Sequence, residues 1–371
     1  MSTDKENIDF STSDKVTSNK ILIAPLNWGL GHAARCIPII HFLIEHNFSP
    51  VLASDGAALA LLKKEFPKLE VIELPSYQIQ YSEFSYFTKW KLLFSFWSIQ
   101  KAVKMEQKII ADLFLDKEFV GLISDNRFGV YHQNVPSVYM THQLNVFSGL
   151  TTWFTSKYHQ KIISNFNVCW VPDVRGSKSL SGKLSKVSKI KTRIKFLGNL
   201  SRFEPNQLKK KYDVLLLLSG PEPQRSIFEK IVLKEFSSFE AKVLLVRGVL
   251  NQTVLKNVSK NIEVVNFLTS KKLEAAINMS EMIVSRSGYS TIMDLARLNK
   301  KAVFVPTPGQ IEQEYLAKYL EEKKIAPFCK QGKFNLSMLS KADNYSGFVE
   351  NYSSGLSSGL LQVFKSNLGS F

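Results

Sequence analysis

The sequence predicts an α/β protein of two domains, each on a parallel sheet, facing one another across a cleft. Three observations predict it. The 371 residues suffice for two full cores. Short apolar runs alternate with helical patterns through both halves of the chain. Two glycine-marked strand-to-helix junctions stand far apart, ILIAPLNWGLGHAARCIPII at 21–40 and MIVSRSGYSTIMDLARLNKKAVFVPTPGQIEQEY at 282–315. Runs that stay apolar without alternating are strands covered on both faces, as parallel sheets between helix layers require.

Residues 1–19 are rich in Ser, Thr, Asp and Lys, lack an apolar run, and read as a disordered tail without a signal peptide. ILIAPL (21–26) is the first strand, and the helix after it carries Cys36, Ile37, Ile40 and Leu43. Further strands follow at 50–55, 69–75, 120–125, 136–141 and 167–173. Between them, 84–110 sets Phe84, Phe87, Trp90, Phe94 and Trp97 at helical spacing among Lys89, Lys91, Lys101, Lys104 and Lys108. Such a helix either lies on an anionic membrane or buries its stripe in the core. The rhythm breaks over 176–195, where seven Lys or Arg and no acid lie between Lys178 and Lys195. That run reads as a solvated loop or a second basic contact. FLGNLSRF (196–203) is a linker, and strands resume at 212–220, 241–248, 261–268, 281–288 and 301–308. The expected division is a tail at 1–19, domains at 20–199 and 200–335, and a C-terminal segment at 336–371 that packs back on the first domain.

Lys and Arg outnumber Asp and Glu 48 to 32, giving a net charge of +16, and both halves are basic. A basic surface attracts polyanions, whether nucleic acid, anionic lipid or phosphorylated small molecules. Nucleic acid is disfavoured, because the aromatics sit mainly on one helix and no nucleic-acid motif is present. Cys36, Cys169 and Cys329 form no C-x-x-C pair, so no metal knuckle or disulfide framework is indicated and a cytoplasmic, reducing compartment is expected. No stretch approaches the roughly 20 apolar residues that span a bilayer. No cofactor or metal is expected.

Ligands of open α/β sheets sit at the carboxyl ends of the strands. After the first strand, Gly29 and Gly31 permit a tight turn and close approach, His32 starts a helix facing the cleft, and Arg35 lies one turn on. A capping histidine is the alternative role for His32. Asp125, Asn126 and Arg127 end the fourth strand on the same edge, and His142 and Gln143 end the fifth; they fit an acceptor site or a structural salt bridge. At the second junction, Ser287, Gly288, Tyr289, Ser290 and Thr291 lead into a helix whose hydroxyls and free N–H groups suit a diphosphate. Asp294 stands where a carboxylate accepts ribose hydroxyls. Gln310, Glu312, Gln313 and Glu314 follow the next strand and suit sugar hydroxyls. An ordinary capped helix with solvent-facing polar residues is the alternative.

The run SRSGYSTIMDL…VPTPGQIEQEYLA resembles the donor-binding half of GT-B glycosyltransferases of family 28. GLGH (29–32) resembles that family's first glycine-rich loop, THQLN (141–145) an acceptor-side segment with His142 and Asn145 matching, and FLGN (196–199) its interdomain linker. The resemblance covers 210–320 closely and 20–200 by spaced motifs. It implies two Rossmann-like domains across a cleft, with Leu268 presenting backbone groups to the base, and Ser287, Gly288 and the helix near Ser290 holding the diphosphate. Asp294 replaces the family's Glu at the ribose, Gln313 contacts the sugar, and Glu314 replaces a second Gln. His32 is the best base candidate and Asp125 its rival. The family's second glycine-rich loop is here Ser219 to Arg225 with Gly220, and its two prolines remove two N–H donors. Arg225, Ser226 and Arg247 would supply positive and hydrogen-bonding groups instead.

The function this implies is transfer of a hexose or N-acetylhexosamine from a nucleotide diphosphate sugar, UDP by family default, to an acceptor hydroxyl, a small molecule or a lipid-linked one. Inversion is a family implication, and the lack of a D-x-D stretch argues for metal independence. The alternatives are a nucleotide-sugar 2-epimerase on the same fold and a non-catalytic polyanion-binding protein.

Overall fold

The computed structural model describes residues 19–77, 88–115, 118–187, 190–249 and 258–348, with Leu255, Tyr352 and 354–365. The tail expected over 1–18, Phe84, Phe87, and the side chains of Lys89, Trp90, Lys91 and Phe94 lie outside the described residues.

The first lobe runs β1 (Lys20–Pro25), α1 (Gly31–Glu45), β2 (Ser49–Ser54), α2 (Gly56–Glu65), β3 (Val71–Glu73), α3 (Thr88–Leu113), β4 (Phe119–Asp125), β5 (Ser137–Met140), α4 (Thr152–Ile163), β6 (Val168–Val171) and β7 (Arg193–Phe196). Its seven strands are parallel in the order β3-β2-β1-β4-β5-β6-β7. The second lobe runs β8 (Tyr212–Leu217), α5 (Gln224–Glu235), β9 (Val243–Val246), β10 (Ile262–Val265), α6 (Ser270–Asn278), β11 (Ser280–Ser285), α7 (Tyr289–Arg297), β12 (Lys301–Phe304), α8 (Ile311–Glu322) and α9 (Ser337–Ala342). Its five strands are parallel in the order β10-β9-β8-β11-β12. The apolar runs are buried as expected: Ile21, Leu22, Ile23, Leu122 and Ile123 in the first sheet, and Leu215, Leu216, Ile283 and Val284 in the second, are inaccessible to solvent.

In each sheet the strand order reverses beside the first strand, between β1 and β4 and between β8 and β11. Those switch points fix where ligands bind. Register places Pro25 beside Asp125, so the β4 carboxylate stands next to the turn that starts α1.

Two expectations need correction. The basic stretch 176–195 is not simply a solvated loop. Its first part wraps around buried Asp173, whose Oδ1 accepts the N–H of Val174 and Leu180 and whose Oδ2 accepts the hydroxyls of Ser179 and Ser185. Its end is β7, which pairs with β6 at the sheet edge. The segment 336–371 is also not one unit. α9 packs on β12 in the second lobe, whereas 354–365 lies on the first. There, Ser354 bridges Gly198, and the Gly355 N–H donates to Leu197 O at 2.6 Å. Phe364, in the short α10 (Gln362–Lys365), is buried edge-on to Phe48 and Trp170. Its ring occupies the space above Gly121, where a Cβ would come within 2.2 Å.

Candidate active site

The first lobe contributes a charged cluster at the ends of β1, β4 and β5. Gly29 turns the chain with φ +75° and α1 begins at Gly31. His32 in its first turn brings Nδ1 to 3.0 Å from Asp125 Oδ1. Arg35, one turn on, grips the same carboxylate: Nε donates to Oδ2 at 2.6 Å and Nη2 to Oδ1. Burial alone would push the Asp125 carboxyl up, but Arg35 and His32 outweigh it and hold it at about 2. An ionised carboxylate accepts only and a guanidinium donates only, and His32 Nδ1 meets both, Asp125 Oδ1 at 3.0 Å and Arg35 Nη2 at 2.9 Å. Asp125 is thus bonded to both His32 and Arg35.

Arg35 Nη1 also reaches His142 Nδ1 at 2.9 Å. His142 Nε2 donates across the cleft to Glu312 Oε1 at 2.7 Å, and the Gln143 amide donates to Glu312 Oε2. Burial lowers the His142 pKa against the pull of Glu312, which keeps the ring neutral and consistent with this tautomer. Glu312 starts α8 and is held below the usual carboxylate range, burial being outweighed by His142, His32 and Arg35. His142 further stacks on Tyr289, with centroids 4.2 Å apart and planes 11° from parallel.

The second lobe closes directly onto this cluster. Ser290 Oγ, at the start of α7, donates to Gly31 O at 2.8 Å. A Cβ at Gly31 would stand 3.1 Å from Ser290 Oγ, so a larger residue there would push against α7. Gly288 and Thr291 flank the same turn. The Tyr289 hydroxyl donates to Pro172 O at 2.8 Å and the side chain is buried, so it joins the lobes and is not open to a donor.

Beneath the turn lies Arg286, fully buried. Its guanidinium donates to the carbonyls of Val305, Pro306 and Gln224 and to the Gln331 amide oxygen, and its Nε has no partner. No carboxylate pairs with it among the described residues; burial pulls its pKa down to about 10, leaving it charged at neutral pH. Sequence reasoning gave Arg286 no role, although the R-S-G run contains it. The Thr307 hydroxyl, close to Gly220, is also buried without a partner. Ser287 Oγ donates to Gln313 O at 2.8 Å. Gln313 accepts the Thr307 N–H and donates to Gln310, and Glu314 accepts the Gly309 N–H, so these three brace the turn after β12. Leu268, after β10, packs partly buried against the core.

Five expected ligands are committed elsewhere. Arg127 is fully buried and bonds Pro25 O, Pro75 O, Glu106 and Asp55, so it is a core ion cluster and not an acceptor ligand. Both amide hydrogens of Asn145 are spent on Lys183 O and Lys186 O, where they hold the basic loop. Arg225 and Arg247 converge on Glu229, at 2.7 and 2.8 Å, and Arg225 also meets Glu222. Two arginines against two carboxylates leave no net charge for a diphosphate. Asp294 accepts from Ser201 Oγ of the linker at 2.7 Å and lies 4.0 Å from Arg202; burial raises it to about 6 despite them.

The chain is similar in sequence and fold to known proteins. The glycosyltransferase family 28 C-terminal domain matches residues 215–342. The chain is similar to the UDP-N-acetylglucosamine--N-acetylmuramyl-(pentapeptide) pyrophosphoryl-undecaprenol N-acetylglucosamine transferase of Campylobacter hominis, 29% identical over 33% of this chain and 37% of that protein. The Haemophilus ducreyi protein of the same name is 22% identical over 56% of each. The chain thus spans about half or less of the length of these relatives. Among solved structures, the kitacinnamycin glycotransferase superposes with a TM-score of 0.60 at 13% identity, covering 94% of this chain and 93% of that one. Acinetobacter baumannii MurG superposes with 0.53 at 14% identity, covering 88% and 92%. Residues 215–342 match the glycosyltransferase family 28 C-terminal domain, and the whole chain has the two-lobed GT-B fold.

Proposed function

We propose that this chain is a glycosyltransferase that moves a hexose or N-acetylhexosamine from a nucleotide diphosphate sugar, with uridine diphosphate as the carrier, to the hydroxyl of a lipid-linked acceptor, with inversion. The observation that carries the reading is the His32–Asp125 pair, 3.0 Å apart, facing the start of α7. His32 Nε2 takes the acceptor proton as the hydroxyl attacks the anomeric carbon, and Asp125 stabilises the imidazolium that forms. The nucleotide diphosphate leaves from the opposite face of the sugar. Its charge meets the free N–H groups that open α7 and the unpaired cation of Arg286 below them.

Ser287, Gly288 and Ser290 are the proposed diphosphate contacts, Leu268 the base contact, and Gln310, Gln313 and Glu314 the sugar contacts. Asp294 takes the ribose only if it exchanges Ser201 for it. No group of three metal-ligating side chains lies together among the described residues, and transfer undiminished in chelator is the expected result. Incubation with UDP-sugars and a polyprenyl diphosphate-sugar acceptor tests the reading. Acceptor-dependent release of UDP supports it. Conversion of the donor without acceptor would assign a 2-epimerase instead.

A lipid-linked acceptor calls for membrane contact. Trp97 is 67% exposed, Trp153 64% and Phe154 68%. Gln100 of α3 bonds Tyr158 of α4, which sets these two helices side by side with Lys101, Lys104, Lys157 and Lys161 along them. Aromatic anchors within a basic surface suit anionic headgroups. No helix among the described residues is long and apolar enough to cross a membrane.

A further inference from the structure

Away from the cleft, at the foot of the second sheet, two lysines compete for the same two carbonyls. Lys300 Nζ donates to Asn278 O at 3.0 Å and to Ser280 O at 3.2 Å. Lys210 Nζ donates to the same oxygens at 3.1 and 2.8 Å. The ammonium groups are therefore within two hydrogen-bond lengths of one another. Lys300 is only 7% exposed, and neither lysine has a carboxylate within ion-pair reach among the described residues. Glu274, which accepts from the Asn206 amide and the Glu204 N–H, and Glu204, which pairs with Arg297, are engaged. Lys209 adds further positive charge to the same wall. Burial and Lys210 pull the Lys300 pKa down to about 7.

Like charges held this close, with one of them desolvated, cost free energy that an anion would recover. Each ammonium has three donors and spends two on the carbonyls, so one from each remains. Beside them lies a cavity of about 600 Å³ whose wall includes Asn206, Gln207, Lys209, Lys210, Asn278 and Lys300. We propose that Lys210 and Lys300, with Lys209 and the amides of Asn206 and Gln207, form a binding site for a small phosphate-class oxyanion at the base of the donor lobe. Lys210 belongs to the stretch that enters this lobe, immediately before β8, so the bound anion would fasten that stretch to the start of β12.

Amine acetylation of the intact protein tests this, with Lys300 followed by mass spectrometry at pH 7.5 in rising inorganic phosphate against chloride of equal ionic strength. A bound oxyanion raises the Lys300 pKa, and one unit removes about two-thirds of the reactive neutral amine at pH 7.5. Phosphate is expected to slow Lys300 labelling about threefold, saturably, while Lys230 and other exposed lysines are unaffected. In Lys210→Met, Lys300 is expected to label more slowly at the outset and to lose the phosphate effect. Labelling that responds equally to chloride and phosphate, or protection that survives Lys210→Met in a protein of unchanged circular dichroism, would overturn the proposal.

Discussion

In the proposed reaction His32 is the base and Asp125 its partner. Removing either partner should cost the reaction about 100- to 10,000-fold, the usual worth of positioned acid–base chemistry. We expect His32→Ala and Asp125→Asn to lose kcat to similar extents with little change in donor Kd, as measured by steady-state kinetics and donor titration. A large loss in donor affinity with kcat intact would contradict the assigned roles. Two buried acids shift in opposite senses from the ordinary value of 3.8. Asp125, depressed to about 2, stabilises the fold above pH 4, and that stability is lost as pH falls from 3.8 towards 2. Asp294, raised to about 6, costs stability once pH exceeds 3.8, and the cost is complete above 6, at about 3 kcal/mol. Asp294→Asn should therefore gain Tm relative to the parent as pH rises from 4 to 7, whereas a difference flat in pH would refute the linkage. The sequence offered His32 and Asp125 as rivals because they are 93 residues apart; only the pairing of β1 with β4 makes them partners. Arg127 misled for a similar reason. Asn126 takes φ +59° and reverses the chain, which turns Arg127 into the core towards acids on distant elements.

At the scale of elements, the strands were readable wherever they are covered on both faces. β7 was not, because a four-residue edge strand reading Arg-Ile-Lys-Phe has no continuous apolar run to mark it. The two glycine-marked junctions were also readable, but not their contact. Nothing in the linear order reveals that α1 and α7 meet at Gly31 and Ser290, or that Glu312 of α8 reaches His142. That meeting gives a prediction. Gly31→Val adds bulk where even a Cβ stands 3.1 Å from Ser290 Oγ. A displacement of about 1 Å between the reacting groups costs on the order of a hundredfold in rate, so kcat/KM should fall by that order while Tm changes little. Unchanged kinetics would mean that the lobes need not approach this closely during turnover. On α3 and α4, replacing Trp153 and Phe154 by Ser should weaken sedimentation with vesicles containing phosphatidylglycerol. It should leave transfer to a detergent-free, short-chain acceptor intact; equal binding by parent and variant would remove the membrane from the reading.

At the scale of the whole molecule, the chain passes between lobes near Gly198 and returns to the first lobe by 354–365. Gly121→Ala would place a Cβ against the Phe364 ring, which should destabilise the fold by about 1–3 kcal/mol through overpacking, measured by urea denaturation. No change would mean that the ring moves aside without cost. The two passages are tied to one another, Ser354 to Gly198 and Gly355 to Leu197. A pair of cords knotted at one point lets two plates swing open like a book but resists their twisting or sliding apart. If the lobes part to admit a nucleotide sugar, the swing returns Ser290 to Gly31 along the same arc each time. Alignment at His32 would then be reset by the spine of the molecule, without any contribution from the ligand.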